Sequence, residues 1–297
     1  MTVGEPRSGR SWRERHDDAA ARLAAAGLDP APNEVRWLIE EVTGLEGAEL
    51  LAAFDELPAE RAAIRFDAMV ERRRAGEPVQ YVLGHWPFRV LDLLVDQRVL
   101  IPRPETEQVV SLALTVLDQR ADPSARPVVA DLGSGTGAIG LSIAAERPGS
   151  DVWCADASAD AVAVTRANLA GLGMAGGRVR VVEGSWFEPL PAELRGALDL
   201  VVSNPPYVAA DEVLPPSVRD WEPPAALVAG PTGLEAIEHI VGHAARWLAP
   251  GGALVLEIGA TQGLDAAALA AAAGYVDVAV HPDLTGLERA LVARTPR

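Results

Sequence analysis

The sequence of 297 residues is poor in cysteine, in basic residues and in long apolar runs. Its single cysteine, Cys154, cannot form an internal disulfide, so we expect a reducing, cytoplasmic environment. No apolar stretch approaches the length of a membrane-spanning helix, and we expect no membrane partner. Lysine and arginine total 26 against 42 acidic residues, a formal net charge of −16. This balance disfavours DNA or RNA as the substrate and suits a protein partner with basic segments.

The five histidines do not indicate a metal site. His239 and His243 share one face of a predicted helix, with Glu235 one turn earlier. A zinc site needs several ligands that converge with defined geometry, whereas this spacing is typical of a solvated helix face. We therefore predict no metal.

A glycine-rich loop follows the short β-branched run at 127–130 and precedes a helix predicted over 138–146. Glycines at a strand-to-helix turn let the backbone approach a ligand closely. The candidate cofactor contacts in the loop are Gly133, Ser134, Gly135, Thr136 and Gly137. The pattern Gly-x-Gly-x-x-Gly at 135–140 fits a nicotinamide dinucleotide as well as another nucleoside cofactor. It is not a phosphate-binding P-loop, because no Gly-Lys-Ser/Thr follows.

Two further residues follow strand-like runs. Asp156 lies about 20 residues after the glycine loop, where a carboxylate can accept hydrogen bonds from both hydroxyls of a ribose. An acid here could also cap the next helix, but Ser158 is a second candidate for that role. Trp186 follows the run at 178–183 and is either a flat surface for an adenine ring or a core residue.

The turn Asn204-Pro205-Pro206-Tyr207 comes directly after the buried-strand pattern at 198–203. Two prolines fix φ and donate no backbone hydrogen bonds, so the turn offers a ligand mainly acceptors. These are the side-chain oxygen of Asn204 and the carbonyl of Pro205, with the Tyr207 ring beside them. The turn predicts a receptor for a planar NH2 group; an ordinary proline-rich turn is the alternative.

From residue 128 onward, strand-like and helix-like segments alternate. This pattern predicts an α/β fold with a doubly wound parallel sheet that binds ligands at the carboxyl ends of its strands. The glycine loop, Asp156, Trp186 and the Asn-Pro-Pro-Tyr turn all fall at such ends.

The part before residue 104 has a different pattern. We predict a flexible tail over 1–11 and a small helical bundle over 12–75, whose last helix ends in the solvated Arg72, Arg73 and Arg74. Over 76–103, the alternating runs 79–84 and 87–95 predict a hairpin connector. The prolines at 102 and 104 predict an extended strap, because each restricts the residue before it.

The order of these motifs resembles a class I S-adenosylmethionine-dependent methyltransferase that acts on a planar nitrogen. The match extends to the peptide chain release factor glutamine N5-methyltransferases, whose interdomain segments are similar to 76–84 and 100–107 of this chain. Other similar segments are Glu222-Pro223, Gly233-Leu234, 256–259 and 287–292. The resemblance covers nearly the whole chain from about Trp12 onward.

The resemblance implies a seven-stranded Rossmann-like methyltransferase domain over 104–297, preceded by a helical substrate-docking domain and the connector. It implies S-adenosylmethionine as the cofactor, bound by the glycine loop, Asp156, Trp186 and Asn204. The acceptor would be the glutamine of the Gly-Gly-Gln motif in bacterial translation release factors. Asn204, Pro205, Pro206 and Tyr207 would bind it, with Asn204, Pro205 and Tyr207 catalytic.

Three other functions remain open from the residues. Adenine also carries a planar NH2, so an N6-adenine methyltransferase acting on DNA or RNA is the nearest alternative. The glycine pattern permits a nicotinamide-dependent oxidoreductase, and a peptide-binding module without catalysis would also use such a turn.

Two positions depart from the family pattern. Ser185 stands where an acid commonly precedes the aromatic pair, which puts one polar contact near the adenine in doubt. Glu183 or backbone groups are the candidate substitutes. Pro224 stands where a basic residue is frequent, in a loop that we expect near the substrate entrance.

Overall fold

The computed structural model describes residues 9–28, 31–119 and 126–297, and the chain divides after Gly84 into two compact units. The first unit is helical, as predicted. Its helices are α1 (Trp12–Ala25), α2 (Ala31–Thr43), α3 (Gly47–Ala53), α4 (Glu60–Arg74) and α5 (Val79–Leu83). Apolar side chains at helical spacing form its core, including Leu23, Leu38, Ile39, Phe66 and Val70.

Residues 1–8 of the predicted tail, 1–11, lie outside the described residues. Ser11 caps α1, because its hydroxyl accepts a hydrogen bond from the backbone N–H of Glu14. The Glu14 carboxylate accepts one from the Ser11 N–H in return, which completes a capping box.

Residues 79–83 are helical, so the prediction that they form a strand of the connector is wrong. Val79 and Val82 lie three residues apart, and a helix turns both into the core of the first unit, where they are buried. Gly84, with a φ of 86°, ends this helix in the left-handed region. The hairpin strands are instead β1 (His85–Phe88) and β2 (Leu91–Leu94). The predicted domain limits at 75 and 103 stay predictions.

The prediction that the three arginines ending α4 are solvated is wrong for Arg73, which is 8% exposed. Its guanidinium donates to the Glu34 carboxylate, with Nε 2.7 Å from Oε2, and to the backbone carbonyl of Glu77. Arg72 contacts the side chain of Glu77 through Nε at 2.8 Å. The buried carboxylates neutralise these two cations, which spacing along the chain could not predict.

The second unit is an α/β domain. Its remaining strands are β3 (Val128–Leu132), β4 (Asp151–Asp156), β5 (Val179–Glu183), β6 (Leu198–Ser203), β7 (Val208–Ala209), β8 (Val228–Gly230), β9 (Leu248–Glu257), β10 (Val276–Pro282) and β11 (Glu288–Arg294). Its helices are α6 (Pro104–Asp118), α7 (Ala138–Glu146), α8 (Ala159–Gly171), α9 (Pro216–Arg219), α10 (Glu235–Ala244) and α11 (Gly263–Ala272). Within the described residues, none of the helices has both the length and the apolar character needed to cross a lipid bilayer.

A seven-stranded sheet with the order β10-β11-β9-β6-β3-β4-β5 forms the centre of this unit, which confirms the predicted fold. Strands β9, β6, β3, β4 and β5 are parallel, and β11 is antiparallel to both of its neighbours. The chain runs outward from β3 through β4 to β5 and then returns to the other side of β3 as β6. The strand order therefore reverses between β3 and β6, which is where open α/β sheets bind ligands.

Gly140 allows α7 to pack against this sheet. A Cβ at this position would lie 2.6 Å from Cys154 Sγ and 2.9 Å from Asp131 Oδ2, both in a fully buried environment. We expect Gly140→Ala to lower the free energy of unfolding by about 1–3 kcal/mol, because the overpacked helix must shift. Urea unfolding measures this change.

The control for this substitution is Gly242, an exposed glycine in α10 with no atom within 4 Å of its ideal Cβ. Gly242→Ala should leave stability unchanged or raise it by up to about 1 kcal/mol, because alanine is the better helix former. Equal stability of the two variants would contradict the packing role of Gly140.

Candidate active site

A cavity of about 270 Å³ opens at the carboxyl ends of β3, β4, β5 and β6. Of the predicted site residues, Gly133, Ser134, Gly135, Thr136, Asp156, Trp186, Asn204 and Pro206 line it. Gly137, Pro205 and Tyr207 do not. The sheet therefore brings the glycine loop, the acid, the tryptophan and the proline turn to one place, although they are far apart in the chain.

The glycine loop begins at the edge of β3 and is tied to β4. The backbone N–H groups of Gly133 and Ser134 both donate to the Ala155 carbonyl, at 2.8 and 3.1 Å. Gly133 and Gly135 have φ values of 69° and 56°, which side chains disfavour. Gly137, with a φ of 83°, precedes α7, and a Cβ there would meet Leu141 at 2.8 Å. Gly137 thus allows close packing beside the cavity, and its contact with the cofactor stays a prediction.

Asp156, the last residue of β4, contacts this loop. Its Oδ2 accepts a hydrogen bond from the Gly135 N–H and its Oδ1 accepts one from the Ser158 N–H, both at 2.9 Å. Each oxygen keeps further acceptor capacity. Burial raises the pKa of Asp156, while the two N–H groups act in the opposite direction. Ser158 caps α8 through its hydroxyl, which accepts from the Ala161 N–H, so the cap role belongs to Ser158.

Trp186 both lines the cavity and packs against the core. Its ring lies beside the glycine loop, since a Cβ on Gly133 would be 3.7 Å from Trp186 Cζ3. Its φ of 49° is unusual for a bulky residue. Such strained backbone positions are concentrated at functional sites, where surrounding contacts hold them. The neighbouring Ser185, which replaces the acid of the family pattern, also lines the cavity, whereas Glu183 is exposed.

The Asn-Pro-Pro-Tyr turn lies next to the glycine loop because of strand pairing. Ser203, the last residue of β6, is paired with Leu132, the last residue of β3. Asn204 and Gly133 therefore both leave the sheet at the same level. Neighbouring strands lie about 4.8 Å apart, so the turn and the loop are close by construction.

Hydrogen bonds connect both ends of the turn to Glu257 at the end of β9. Asn204 Nδ2 donates to Thr106 Oγ1 at 3.3 Å, and the Thr106 hydroxyl donates to Glu257 Oε2 at 2.6 Å. The Tyr207 hydroxyl donates to Glu257 Oε1 at 3.3 Å. Tyr207 is also held through its backbone carbonyl, which accepts from Gln262 Nε2 at 3.0 Å. The turn is thus fixed at both ends.

Glu257 is the buried centre of this chain, with 1% of its surface exposed. Burial raises the pKa of Glu257 to about 7, whereas the Thr106 hydroxyl, Arg289 and the Tyr207 hydroxyl favour the carboxylate. Burial and the Glu257 charge in turn raise the pKa of Tyr207, so this phenol stays protonated at neutral pH.

A second buried acid holds the strap at the cavity. Glu222 is 3% exposed and accepts a hydrogen bond from the Ile101 N–H at 3.2 Å and another from Arg103 at 2.5 Å. Pro102 from the strap and Pro223 from the segment after Glu222 both line the cavity. Ala225 and Ala226, which directly follow Pro224, also line it, so the loop expected near the entrance does lie at the cavity.

Sequence reasoning assigned no role to Thr106, Glu222 or Glu257. All three lie in segments that resemble the family, and this resemblance is the feature of the sequence that could have indicated a role for them. Their partners are 50 to 151 residues away in the chain, and no local spacing predicts such pairs. Cys154 is buried, as expected for a small apolar residue. Across 9–28, 31–119 and 126–297, no group of His, Cys, Asp and Glu side chains is arranged to hold a metal ion.

Comparisons with known proteins agree with this architecture. Residues 16–84 match the family model described as PrmC N-terminal domain, and residues 108–218 match Methyltransferase small domain. The chain is similar to the release factor glutamine methyltransferase of Cereibacter sphaeroides, with 43% identity over 94% of this chain and 96% of that protein. The protein of the same name from Bifidobacterium longum is 38% identical over 93% of this chain and 97% of its own length.

A solved structure is also similar. It is that of the protein-(glutamine-N5) methyltransferase (release factor-specific) from Alicyclobacillus acidocaldarius. It is 25% identical, with a TM-score of 0.40, and the match covers 66% of this chain and 95% of that one.

Proposed function

This chain belongs to the release factor glutamine methyltransferase family, and on that premise we propose that it methylates the side-chain amide nitrogen (N5) of a glutamine. The methyl donor is S-adenosylmethionine. The acceptor glutamine is that of the Gly-Gly-Gln motif in bacterial translation release factors. The chain's acidic balance, a net charge of −16, suits a protein partner with basic segments.

The observation that carries the proposal is that Asn204 shares one cavity with the glycine loop and Asp156. An acceptor for a planar NH2 group and a binding surface for a nucleoside thus face the same space. The paired strand ends Leu132 and Ser203 support this arrangement, because they hold the two motifs on adjacent strands.

The cavity lining fits S-adenosylmethionine. Asp156 offers two oxygens with spare acceptor capacity, which suits a ribose diol. Gly133 and Gly135 leave the loop backbone accessible, and Trp186 offers a flat ring for an adenine. The Ser185 hydroxyl is available near that ring in place of the acid of the family pattern.

The chain's task in the reaction is chiefly to position the acceptor. When bound, the cofactor supplies a reactive methyl group on a sulfonium. A carboxamide nitrogen is a poor nucleophile, so orientation matters. We assign Asn204 Oδ1, which lies at the cavity, and the carbonyl of Pro205, a buried residue of the same turn, to accept the two N–H bonds of the glutamine amide and to aim its nitrogen. Both oxygens also stabilise the positive charge that develops on this nitrogen during transfer.

Two neighbours keep this acceptor pair in place. Pro206 stiffens the turn, and Tyr207 places its ring beside it, with the phenol hydrogen-bonded to Glu257. We assign no general base, and the proton of the amide leaves with or after methyl transfer.

The proposal is tested by incubating the protein with methyl-labelled S-adenosylmethionine and a bacterial release factor. Label should appear on the release factor and should be lost when the glutamine of its Gly-Gly-Gln motif is replaced by alanine. Label on added DNA or RNA, with none on the release factor, would instead identify a nucleic-acid methyltransferase. If the protein binds the cofactor but transfers label to neither substrate, the release factor glutamine is not its acceptor.

A further inference from the structure

The orientation of the Asn204 side-chain amide follows from the groups behind it. Thr106 lies in the first turn of α6 and has a single hydroxyl proton, which points at Glu257 Oε2, 2.6 Å away. Toward Asn204, the Thr106 oxygen can therefore only accept. The Asn204 group facing it must be the NH2, at 3.3 Å.

Asn204 Oδ1 is consequently the atom left for a ligand. Asn204 is half-buried and lines the cavity, and in the described part of the chain no protein group donates to this oxygen. An amide turned over would present its NH2 to the glutamine NH2, and two donors would face each other. Only one of the two orientations can accept the substrate.

Glu257 sets the direction of this chain of hydrogen bonds. As a carboxylate it can only accept, and it takes one hydroxyl from α6 and one from the turn. The charged groups around it are Arg289, which favours the carboxylate, and Glu105, which opposes it. The pKa of Glu257 near 7 means that the carboxylate predominates at pH 8 and above.

We propose that Thr106 and Glu257 are positioning residues for methyl transfer, which hold the Asn204 amide with its oxygen toward the acceptor glutamine. This inference rests on the proposed function. It assigns to both residues a role that acts through Asn204, and of the two Thr106 also lines the cavity.

The competing explanation is that Thr106 only fills space, since it is 3% exposed. Two substitutions separate the explanations. Thr106→Val keeps the shape and removes the hydroxyl, whereas Thr106→Ser keeps the hydroxyl and removes a methyl group. If Thr106 positions Asn204, the serine variant should have the higher kcat for methyl transfer. If Thr106 only fills space, the valine variant should have the higher kcat.

The first test measures methyl transfer to the release factor at pH 8 with saturating S-adenosylmethionine. We expect kcat of Thr106→Val to fall about 10-fold, the factor that corresponds to one ordinary hydrogen bond, with cofactor affinity within about 3-fold of the unsubstituted protein. Thr106→Ser should recover most of this loss. Thr115→Val is the matched control, because Thr115 is an exposed threonine on the same helix, and its kcat should not change.

The second test needs no turnover. In 15N-labelled protein, the side-chain NH2 signals of Asn204 are identified by their absence in Asn204→Ala. They should move in Thr106→Val and stay near their original positions in Thr106→Ser and Thr115→Val. If Thr106→Val does not fold, Glu257→Gln replaces it, because an NH2 donor then stands in place of one of the two oxygens that accept from Thr106 and Tyr207.

The outcomes are distinguishable. The positioning role is wrong if valine at 106 supports transfer as well as serine and leaves the Asn204 signals in place. If the unsubstituted protein methylates no release factor, the proposed function fails, while the NMR signals still decide whether Thr106 holds the Asn204 amide.

Discussion

Replacing Asn204 by alanine should lower kcat for methyl transfer by at least about 100-fold, the scale for removing one preorganised polar contact from an active site. The affinity for S-adenosylmethionine should change by less than about 3-fold, because the glycine loop, Asp156 and Trp186 remain. The reason for the difference is that Asn204 Oδ1 acts on the acceptor amide, whose interaction strengthens as charge develops on nitrogen.

Single-turnover transfer of labelled methyl to the release factor measures the rate, and isothermal titration measures cofactor binding. Thermal unfolding should show that Asn204→Ala remains folded, since the residue is only half-buried. Turnover near that of the unsubstituted protein would refute the role of Asn204.

Replacing Asp156 by asparagine should weaken cofactor binding and leave kcat nearly unchanged. We expect the dissociation constant for S-adenosylmethionine to rise about 10- to 100-fold, because hydrogen bonds to a charged group contribute about 1.5–3 kcal/mol. At saturating cofactor, kcat should stay within about 3-fold, since Asp156 does not touch the acceptor. Asparagine keeps the shape and one acceptor oxygen, so it retains one of the two loop contacts, to Gly135 or to Ser158, and loses the other.

Asp160 provides the matched control for this substitution. It is exposed in the first turn of α8 and does not line the cavity, so Asp160→Asn should leave cofactor affinity unchanged. An unchanged dissociation constant in Asp156→Asn would show that this carboxylate does not bind the ribose. The two substitutions, at Asn204 and Asp156, thus separate acceptor binding from donor binding.

The sequence predicted the parts of the site that follow directly on strands. Alternating segments indicated a parallel sheet, and carboxyl ends of parallel strands lie at one edge, so Gly133, Asp156 and Asn204 were expected to lie close together. Their common cavity confirms this expectation. Strand pairing brings these residues together, because parallel neighbouring strands end at the same edge of the sheet.

Other features depended on contacts that chain spacing does not encode. The hydrogen bonds from Thr106 and Tyr207 to Glu257 join α6, the turn and the end of β9, and the Glu222 contacts join the strap to a distant loop. The helix at 79–83 was mistaken for a strand because a run of five residues satisfies both periods, and only the core of the first unit decides between them. Similarly, Arg73 is buried because Glu34 lies across from it.

The pairing of Leu132 with Ser203 has a consequence for how substrate choice can change. The backbone hydrogen bonds between β3 and β6 fix the distance between the glycine loop and the Asn-Pro-Pro-Tyr turn. We therefore expect substitutions in the loop that carries Pro224, whose neighbours Pro223 and Ala225 line the cavity, to affect the choice of protein partner more than the path of the methyl group.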